Sequence, residues 1–213
     1  MTEPTLYLIT PPKIEDLGSF AEVLSRALDA GDGAVACLQL RLKDVSDDEV
    51  LRAAEAIAPI LGAAGAGFLI NDRADLAAKA GADGVHLGQS DGSVAEARTL
   101  LGADKDIGVT CHDSIHLAME AGEAGADYVA FGAFFPTATK EVIHHAEADL
   151  LTQWTQMATV PVVAIGGITA DKARGLLDAG ADYLAVSGAV WNHPDGAAAG
   201  VKAFLSTTSE AGA

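Results

Sequence analysis

The sequence predicts a single α/β domain, a (β/α)8 TIM barrel, from three observations. Eight short apolar runs alternate with segments of helical periodicity over 213 residues, and such alternation favours a parallel sheet. A Gly-Ala-Asp triplet recurs before three of the runs. The GxGxxG fingerprint of an open dinucleotide-binding sheet, the main alternative, is absent after the first strand. Eight strand–helix units in a chain of this length favour closure into a barrel.

The repeated segments are KAGADGVHL, EAGADYVAF and DAGADYLAV, with triplets that begin at positions 81, 125 and 180. In each segment a glycine follows a helical stretch, where positive φ ends a helix at low cost. The Asp precedes a run typical of a buried parallel strand. The triplets are 44 and 55 residues apart with another strand midway, so each interval holds two strand–helix units.

The strands and helices follow from the apolar runs and the helical periodicity. The predicted strands are Leu6–Ile9, Val35–Leu40, Gly67–Ile70, Gly84–Leu87, Ile107–Thr110, Tyr128–Phe131, Val162–Ile165 and Tyr183–Val186. The clearest helices are Phe20–Ala30, Asp47–Leu61, Val94–Leu101 and Ala170–Ala179. We expect the barrel to span residues 1–205 and the tail from Ser206, residues 206–213, to be disordered.

Composition and charge limit the partners and the cellular compartment that fit this chain. The net charge is −17, which repels nucleic acid and anionic lipid and sets both aside as partners. Cys37 and Cys111 lack metal-site spacing and indicate no disulfide framework, which suits a reducing, cytoplasmic compartment. The N-terminus does not resemble a signal peptide. The uncharged stretch Leu150–Ala170 contains Pro161 and two glycines, and predicts a helix end, a turn and a strand rather than a membrane span.

Cationic side chains follow the second predicted strand. Alternation places Gln39, Arg41 and Lys43 on one face and Leu40 and Leu42 on the other. Since polar residues at the carboxyl ends of barrel strands form active sites, these groups suit an anionic, oxygen-rich ligand. The alternative is a solvated strand end with paired surface charges.

Two carboxylates follow the next two strands. Asp72, after Asn71, and Asp91 could hold Mg2+ against substrate phosphate oxygens. Each could instead cap the helix that follows it, and a helix is expected to begin near Ser93.

The remaining strand ends offer hydroxyls, backbone amides and one cation. Thr110 could hydrogen-bond a ligand oxygen, whereas His112 and Cys111 fit an ordinary loop histidine and a buried filler. The loop after the sixth strand, Pro136 to Lys140, could grip phosphate and supply a cation to a leaving group, or be an ordinary surface loop. Gly166-Gly167 and Ser187-Gly188 end the last two strands, where many barrels bind phosphate. Two anion sites in one mouth suit the joining of a diphosphate ester to a monophosphate.

Ordered motifs from Tyr7 to Ala189 resemble the thiamine phosphate synthase family. They are YLIT, QLRLKD, LINDRADLA, GADGVHLGQSD, IGVT, GADYVAFGAFFPTATK, PVVAIGGI and AVSGA. The resemblance implies that 4-amino-2-methyl-5-(diphosphooxymethyl)pyrimidine condenses with 4-methyl-5-(2-phosphooxyethyl)thiazole to give thiamine phosphate and diphosphate. It also implies Mg2+ as the cofactor.

The resemblance assigns roles to individual residues. Asp72 and Asp91 would bind Mg2+, and the catalytic groups would be Arg41, Lys43, Thr110 and Lys140. Thr110 stands where the family usually has Ser. The substrate-binding residues would be Gln39, Leu40, Arg41, Leu42, Lys43, Asn71, Thr110, Thr137, Ala138, Thr139, Lys140, Gly167, Val186 and Ser187.

Two departures from the family pattern stand out. After Lys140 the chain reads EVIHHAEADLL instead of a glycine-containing stretch, and Leu42 stands where Glu is common. We expect His144 and His145 to be surface residues rather than metal ligands, because no third ligand lies nearby in the sequence.

Three other functions remain open. A thiazole tautomerase branch shares the barrel but typically lacks the Asn-Asp pair, the later Asp and the Thr-x-Thr-Lys loop, all present here. A non-catalytic phosphate-binding barrel, acting as a sensor or scaffold, would bind its ligand equally well with and without a metal chelator. The third alternative is another phosphate barrel, such as an aldolase or epimerase. A Schiff-base aldolase needs a lysine inside the barrel, which Lys140 does not fit. A homo-oligomer is compatible with the sequence.

Overall fold

In the computed structural model, which describes residues 5–137 and 143–209, eight parallel strands close into a barrel. Each strand pairs with the next along the chain, and the eighth pairs with the first. The strands are β1 (Leu6–Ile9), β2 (Val35–Leu40), β3 (Gly67–Asn71), β4 (Gly84–Leu87), β5 (Asp106–His112), β6 (Tyr128–Phe131), β7 (Val162–Ile165) and β8 (Tyr183–Val186). The predicted (β/α)8 fold is confirmed.

Helices surround the barrel. They are α1 (Leu17–Gly31), α2 (Asp47–Ala64), α3 (Ala74–Ala80), α4 (Val94–Leu101), α5 (Ile115–Glu123), α6 (Ala148–Met157), α7 (Ala170–Asp178), α8 (Gly188–Trp191) and α9 (Ala197–Ser209). The stretch from Leu150 to Ala170 is the end of α6, a turn and β7, as predicted. No helix in the described part of the chain is long and apolar enough to cross a membrane.

The C-terminal helix differs from the sequence expectation. We predicted a disordered tail from Ser206, but α9 continues to Ser209. Val201 and Phe204 of this helix are buried, so an apolar face docks on the body of the barrel and carries the helix past position 206. Residues 210–213 lie outside the described residues.

The Gly-Ala-Asp repeat joins β4, β6 and β8 each to the strand before it. Each glycine has positive φ at the end of the preceding helix. Each Asp donates its backbone N–H to a carbonyl near the start of the earlier strand, at 2.7–2.9 Å, and its carboxylate accepts the N–H of the same residue, at 2.7–2.9 Å. The pairs are Asp83 with Phe68, Asp127 with Ile107, and Asp182 with Val162. The repeat therefore fixes the amino-terminal end of the barrel.

Alternation along the strands separates two apolar clusters. A large cluster lies between the strands and the helices, and a smaller one fills the barrel interior. The interior holds two tyrosines, Tyr7 and Tyr128. A Cβ added to Gly108 would lie 1.8 Å from Cζ of Tyr128, so this position must be glycine for the ring to fit.

Candidate active site at the carboxyl ends of the strands

The ends of β2 and β3 bring four predicted site residues together. Gln39 is buried, and its Nε2 donates to Oδ1 of Asn71 at 3.1 Å. Nζ of Lys43 lies 3.0 Å from Oδ2 of Asp72. Both contacts run between neighbouring strand ends, so the predicted convergence of these groups in one mouth is present in the structure.

Asp72 and Asp91 lie close together. Burial raises the pKa of the Asp91 carboxyl, and the negative charge of Asp72 raises it further. The Gly88 N–H, which donates to Oδ2 of Asp91 at 3.1 Å, and Lys43 oppose this rise in pKa. When Asp91 is protonated it can hydrogen-bond Asp72. The two carboxylates therefore form one acidic site next to an ammonium group.

The helix-capping alternative for these two carboxylates is wrong. Ser93 caps α4, accepting the Glu96 N–H in a capping box, so Asp91 is not the cap. The N-cap position of α3 is Arg73, which makes no side-chain cap hydrogen bond. Asp72 itself has φ 64°, a conformation that turns the chain sharply at the end of β3. Neither carboxylate is used to begin a helix.

Arg41 lies partly buried beside this acidic site. Its backbone N–H donates to Oγ1 of Thr10 at 2.9 Å. Burial lowers the pKa of the guanidinium, and the negative charge of Asp72 opposes that effect. Arginine stays charged throughout the physiological range, so this group adds a fixed positive charge to the mouth.

The side chains of Leu40 and Leu42 face away from the mouth. Leu40 is buried in the cluster between strands and helices, and Leu42 packs against that cluster. Val186 at the end of β8 is buried there too. Only the backbone of these three predicted binding residues is therefore available to a ligand.

Thr110 belongs to a chain of hydrogen bonds that sequence analysis missed. Its Oγ1 lies 2.8 Å from Nε2 of His86, and Nδ1 of His86 lies 2.9 Å from the hydroxyl of Tyr128. The Tyr128 hydroxyl lies 3.0 Å from that of Tyr7. The chain thus runs from the barrel interior up to a predicted site residue. His86 lies within an apolar run in β4. Its position in that run does not indicate from sequence alone that it contacts a site residue.

The loop after β6 packs on the end of β7. The N–H groups of Phe134 and Phe135 donate to the carbonyls of Ile165 and Gly166 at 3.2 and 3.0 Å. Gly167 has φ 61°, and a Cβ on it would lie 2.3 Å from the carbonyl oxygen of Pro136. We predicted that this glycine allows a phosphate to approach, and the structure shows that the loop backbone itself approaches it. Thr137 is half-buried, whereas Ala138, Thr139 and Lys140 lie outside the described residues.

Ser187 lies between β8 and the short helix α8. Its hydroxyl is 3.4 Å from the carbonyl oxygen of Thr10, which ties the end of β8 to the residue that follows β1. Ser187 and Gly167 thus follow adjacent strands, β8 and β7, on the same rim of the barrel.

The histidines after the loop lie at the surface, as predicted. His144 and His145 are exposed. His144 stacks on His112 with 4.4 Å between ring centroids, and its Nδ1 lies 3.1 Å from Oδ1 of Asp113. The backbone carbonyl of His144 accepts the Ala133 N–H at 3.1 Å. These contacts fasten the far end of the loop to the end of β5.

The donor set of the acidic site suits a hard divalent cation. Asp72 and Asp91 offer carboxylate oxygens, the ligands that Mg2+ prefers. Among residues 5–137 and 143–209, no group of three or more His, Cys, Asp or Glu side chains is arranged to hold a metal ion. A cation held by these two carboxylates would therefore need substrate oxygens and water to complete its coordination, as Mg2+ commonly does.

Comparison with known proteins gives one consistent result. A family model described as thiamine monophosphate synthase matches residues 6–190. The chain is 60% identical over 204 residues to a thiamine-phosphate synthase of Rhodospirillum centenum, covering 96% of this chain and 97% of that one. A second thiamine-phosphate synthase, from Erythrobacter litoralis, is 53% identical over 201 residues, covering 93% of this chain and 92% of that one. The solved structure of a thiamine phosphate pyrophosphorylase from Pyrococcus furiosus superposes with a TM-score of 0.81 at 30% identity, covering 96% of this chain and 95% of that one.

Proposed function

Because this chain belongs to the thiamine monophosphate synthase family, we propose that it joins the pyrimidine diphosphate to the thiazole phosphate, giving thiamine phosphate and diphosphate. The observation that carries the proposal is the meeting of Lys43, Asp72 and Asp91 in one mouth. This is the arrangement that a diphosphate leaving group with a divalent cation requires.

The reaction exchanges one bond at a methylene carbon. The C–O bond to the diphosphate breaks, and its electron pair leaves with the diphosphate oxygen. The ring nitrogen of the thiazole donates its lone pair to the methylene carbon and becomes the thiazolium nitrogen. No protein nucleophile or oxidant is needed. Charge stabilisation and positioning therefore have to supply the rate.

The cationic residues at the end of β2 would stabilise the departing diphosphate. Arg41 presents a planar guanidinium that can bind two phosphate oxygens at once. Lys43, which pairs with Asp72 at 3.0 Å, could turn its ammonium to a diphosphate oxygen. By the family resemblance, Lys140 would add a third cation from the loop after β6.

Mg2+ would be held by Asp72 and Asp91 and would neutralise negative charge on the diphosphate. The support for this is the rise in the pKa of the Asp91 carboxyl, to which the charge of Asp72 contributes. A bound divalent cation would offset the repulsion between these two carboxylates. The same pair would have little use in an isomerase that releases no diphosphate.

The substrates would occupy two halves of the mouth. Gln39 and Asn71, already fixed to each other at 3.1 Å, would present amide groups to the polar pyrimidine ring, with Thr110 opposite. Thr137, Thr139, Gly167 and Ser187 would bind the thiazole phosphate on the rim formed by β7, β8 and the loop after β6. Cys37 and Cys111 are free thiols, which suits the cytoplasmic location we propose for the enzyme.

A coupling assay tests the proposal. Purified protein is mixed with both substrates and Mg2+, and thiamine phosphate is quantified, with chelator as one control. We expect Asp72→Asn to lower kcat by about 100-fold, the cost of removing one preorganised charge interaction. The matched control is Asp149→Asn, which changes an exposed carboxylate in the first turn of α6. Well-folded protein that forms no thiamine phosphate would refute the synthase function, and product formation unaffected by chelator would refute the metal.

A further inference from the structure

The hydrogen-bond chain inside the barrel has a direction that geometry and burial decide. Its four groups are Tyr7, Tyr128, His86 and Thr110, linked by contacts of 2.8–3.0 Å. A neutral imidazole donates from one ring nitrogen and accepts at the other. The chain can therefore run with its protons pointing either toward the mouth or toward the barrel interior.

Tyr7 decides between the two directions. It is buried among apolar residues, and within the described part of the chain its hydroxyl has Tyr128 as its hydrogen-bond partner. Burial raises the pKa of both tyrosines, so both hydroxyls keep their protons. If the protons pointed inward, the Tyr7 proton would be buried without an acceptor, which is costly. Tyr7 must therefore donate to Tyr128.

The remaining bonds follow in sequence. Tyr128 accepts from Tyr7, so its own proton goes to Nδ1 of His86. The imidazole then carries its proton on Nε2 and donates it to Oγ1 of Thr110. Since Thr110 accepts from inside the barrel, its own proton is left for an acceptor in the mouth, where the residue is partly exposed.

We propose that Tyr7, Tyr128 and His86 are positioning residues that hold the Thr110 hydroxyl as a hydrogen-bond donor toward the substrate. Thr110 touches the substrate, and the other three act through it. The arrangement preorganises one hydrogen-bond donor toward the substrate, so that the hydroxyl does not have to reorient during the reaction. A free threonine hydroxyl would instead rotate among several acceptors. The role of Thr110 toward substrate rests on the proposed function, but the direction of the chain does not.

The direction is tested on the protein without substrate. Nitrogen-15 NMR of protein labelled at its six histidines distinguishes the tautomers, and His86→Asn identifies the His86 signals by their loss. We expect a neutral ring with the proton on Nε2. A proton on Nδ1, or a doubly protonated ring, would overturn the inference even if the enzyme is active.

The positioning role is tested by kinetics in the coupling assay. We expect Thr110→Ser to keep kcat within about threefold and Thr110→Val to lower it by about 100-fold, the typical cost of one lost donor. Tyr128→Phe should lower kcat by about tenfold, the equivalent of one hydrogen bond, and leave KM for both substrates little changed. Tyr183→Phe, which makes the same change at the remaining tyrosine of the sequence, is the matched control and should retain wild-type kcat.

A double mutant separates positioning from a structural effect. If Tyr128 acts through the Thr110 hydroxyl, Tyr128→Phe should have almost no further effect on kcat in the Thr110→Val background. A full tenfold loss in both backgrounds would show that Tyr128 supports only the fold, and would overturn the positioning role. If no variant, nor the wild type, forms thiamine phosphate, the proposed function fails, while the NMR result still decides the direction of the chain.

Discussion

Replacing Asp182 with Ala should destabilise the barrel without changing its catalysis. The carboxylate of Asp182 accepts the backbone N–H of Val162 at 2.7 Å, and its own N–H donates to the carbonyl of Val162 at 2.9 Å. Val162 is fully buried, so the Ala variant leaves a buried N–H without its acceptor. Hydrogen bonds to charged groups contribute about 1.5–3 kcal/mol. We expect a loss of about 2 kcal/mol in the free energy of unfolding.

The assay is urea denaturation and thermal melting, compared with two control variants. For a domain of this size about 2 kcal/mol lowers Tm by about 4–8 °C. Asp182→Asn keeps a side-chain oxygen acceptor and should cost about half as much. Asp178→Ala removes a nearby exposed carboxylate that pairs with Arg174 on α7, and should cost at most about 0.5 kcal/mol. The kcat at 25 °C should be unchanged, because Asp182 precedes β8 at the end of the barrel opposite the mouth.

Two results would refute this reasoning. If Asp182→Ala has the same Tm as Asp178→Ala, the Asp182 carboxylate does not stabilise the barrel through the Val162 N–H. If Asp182→Asn is as unstable as Asp182→Ala, the retained oxygen acceptor has no value. Asp127 makes the same pair of hydrogen bonds with Ile107, and its carboxylate also pairs with Arg98 at 2.6 Å. Since that pair is partly exposed, Asp127→Ala should cost at most about 1 kcal/mol more than Asp182→Ala.

Three further predictions concern the mouth and the barrel interior. Asp91→Asn should raise the Mg2+ concentration needed for half-maximal activity by at least about tenfold, measured by metal titration of the coupling assay, whereas an unchanged requirement would exclude Asp91 as a ligand. Gly167→Ala should raise KM for the thiazole phosphate and lower the free energy of unfolding by about 1–3 kcal/mol, because its Cβ would lie 2.3 Å from the Pro136 carbonyl oxygen. The control Gly175→Ala, in open space on α7, should be neutral or stabilising by up to about 1 kcal/mol. Equal changes in stability in the two variants would contradict the steric account. Gly108→Ala should lower both Tm and kcat, because its Cβ would overlap the Tyr128 ring. A variant with the Tm of the wild type would show that the Tyr128 ring can move aside.

The prediction of strands worked because parallel strands in a barrel are covered on both faces. Each strand is then a short, nearly continuous apolar run, and in the three Gly-Ala-Asp segments a glycine with positive φ ends the preceding helix. All eight predicted runs lie in the observed strands, and β3 and β5 extend beyond them to Asn71 and His112. Residues 206–209 of the predicted tail belong to α9 instead, because composition alone does not show that Val201 and Phe204 anchor this helix.

The sequence by itself determined the barrel, the family and the polar residues that end each strand, since all of these follow from local pattern and order. Only the tertiary structure decided between helix caps and an acidic site for Asp72 and Asp91, because their distance depends on how β3 and β4 pair. It also decided that His86 links Thr110 to the buried tyrosines. A histidine within an apolar run looks the same in sequence whether it faces the helices or the barrel interior. Strand register and barrel closure bring together residues such as Tyr7 and Tyr128, which are 121 positions apart. The same register places His86 between Tyr128 and Thr110.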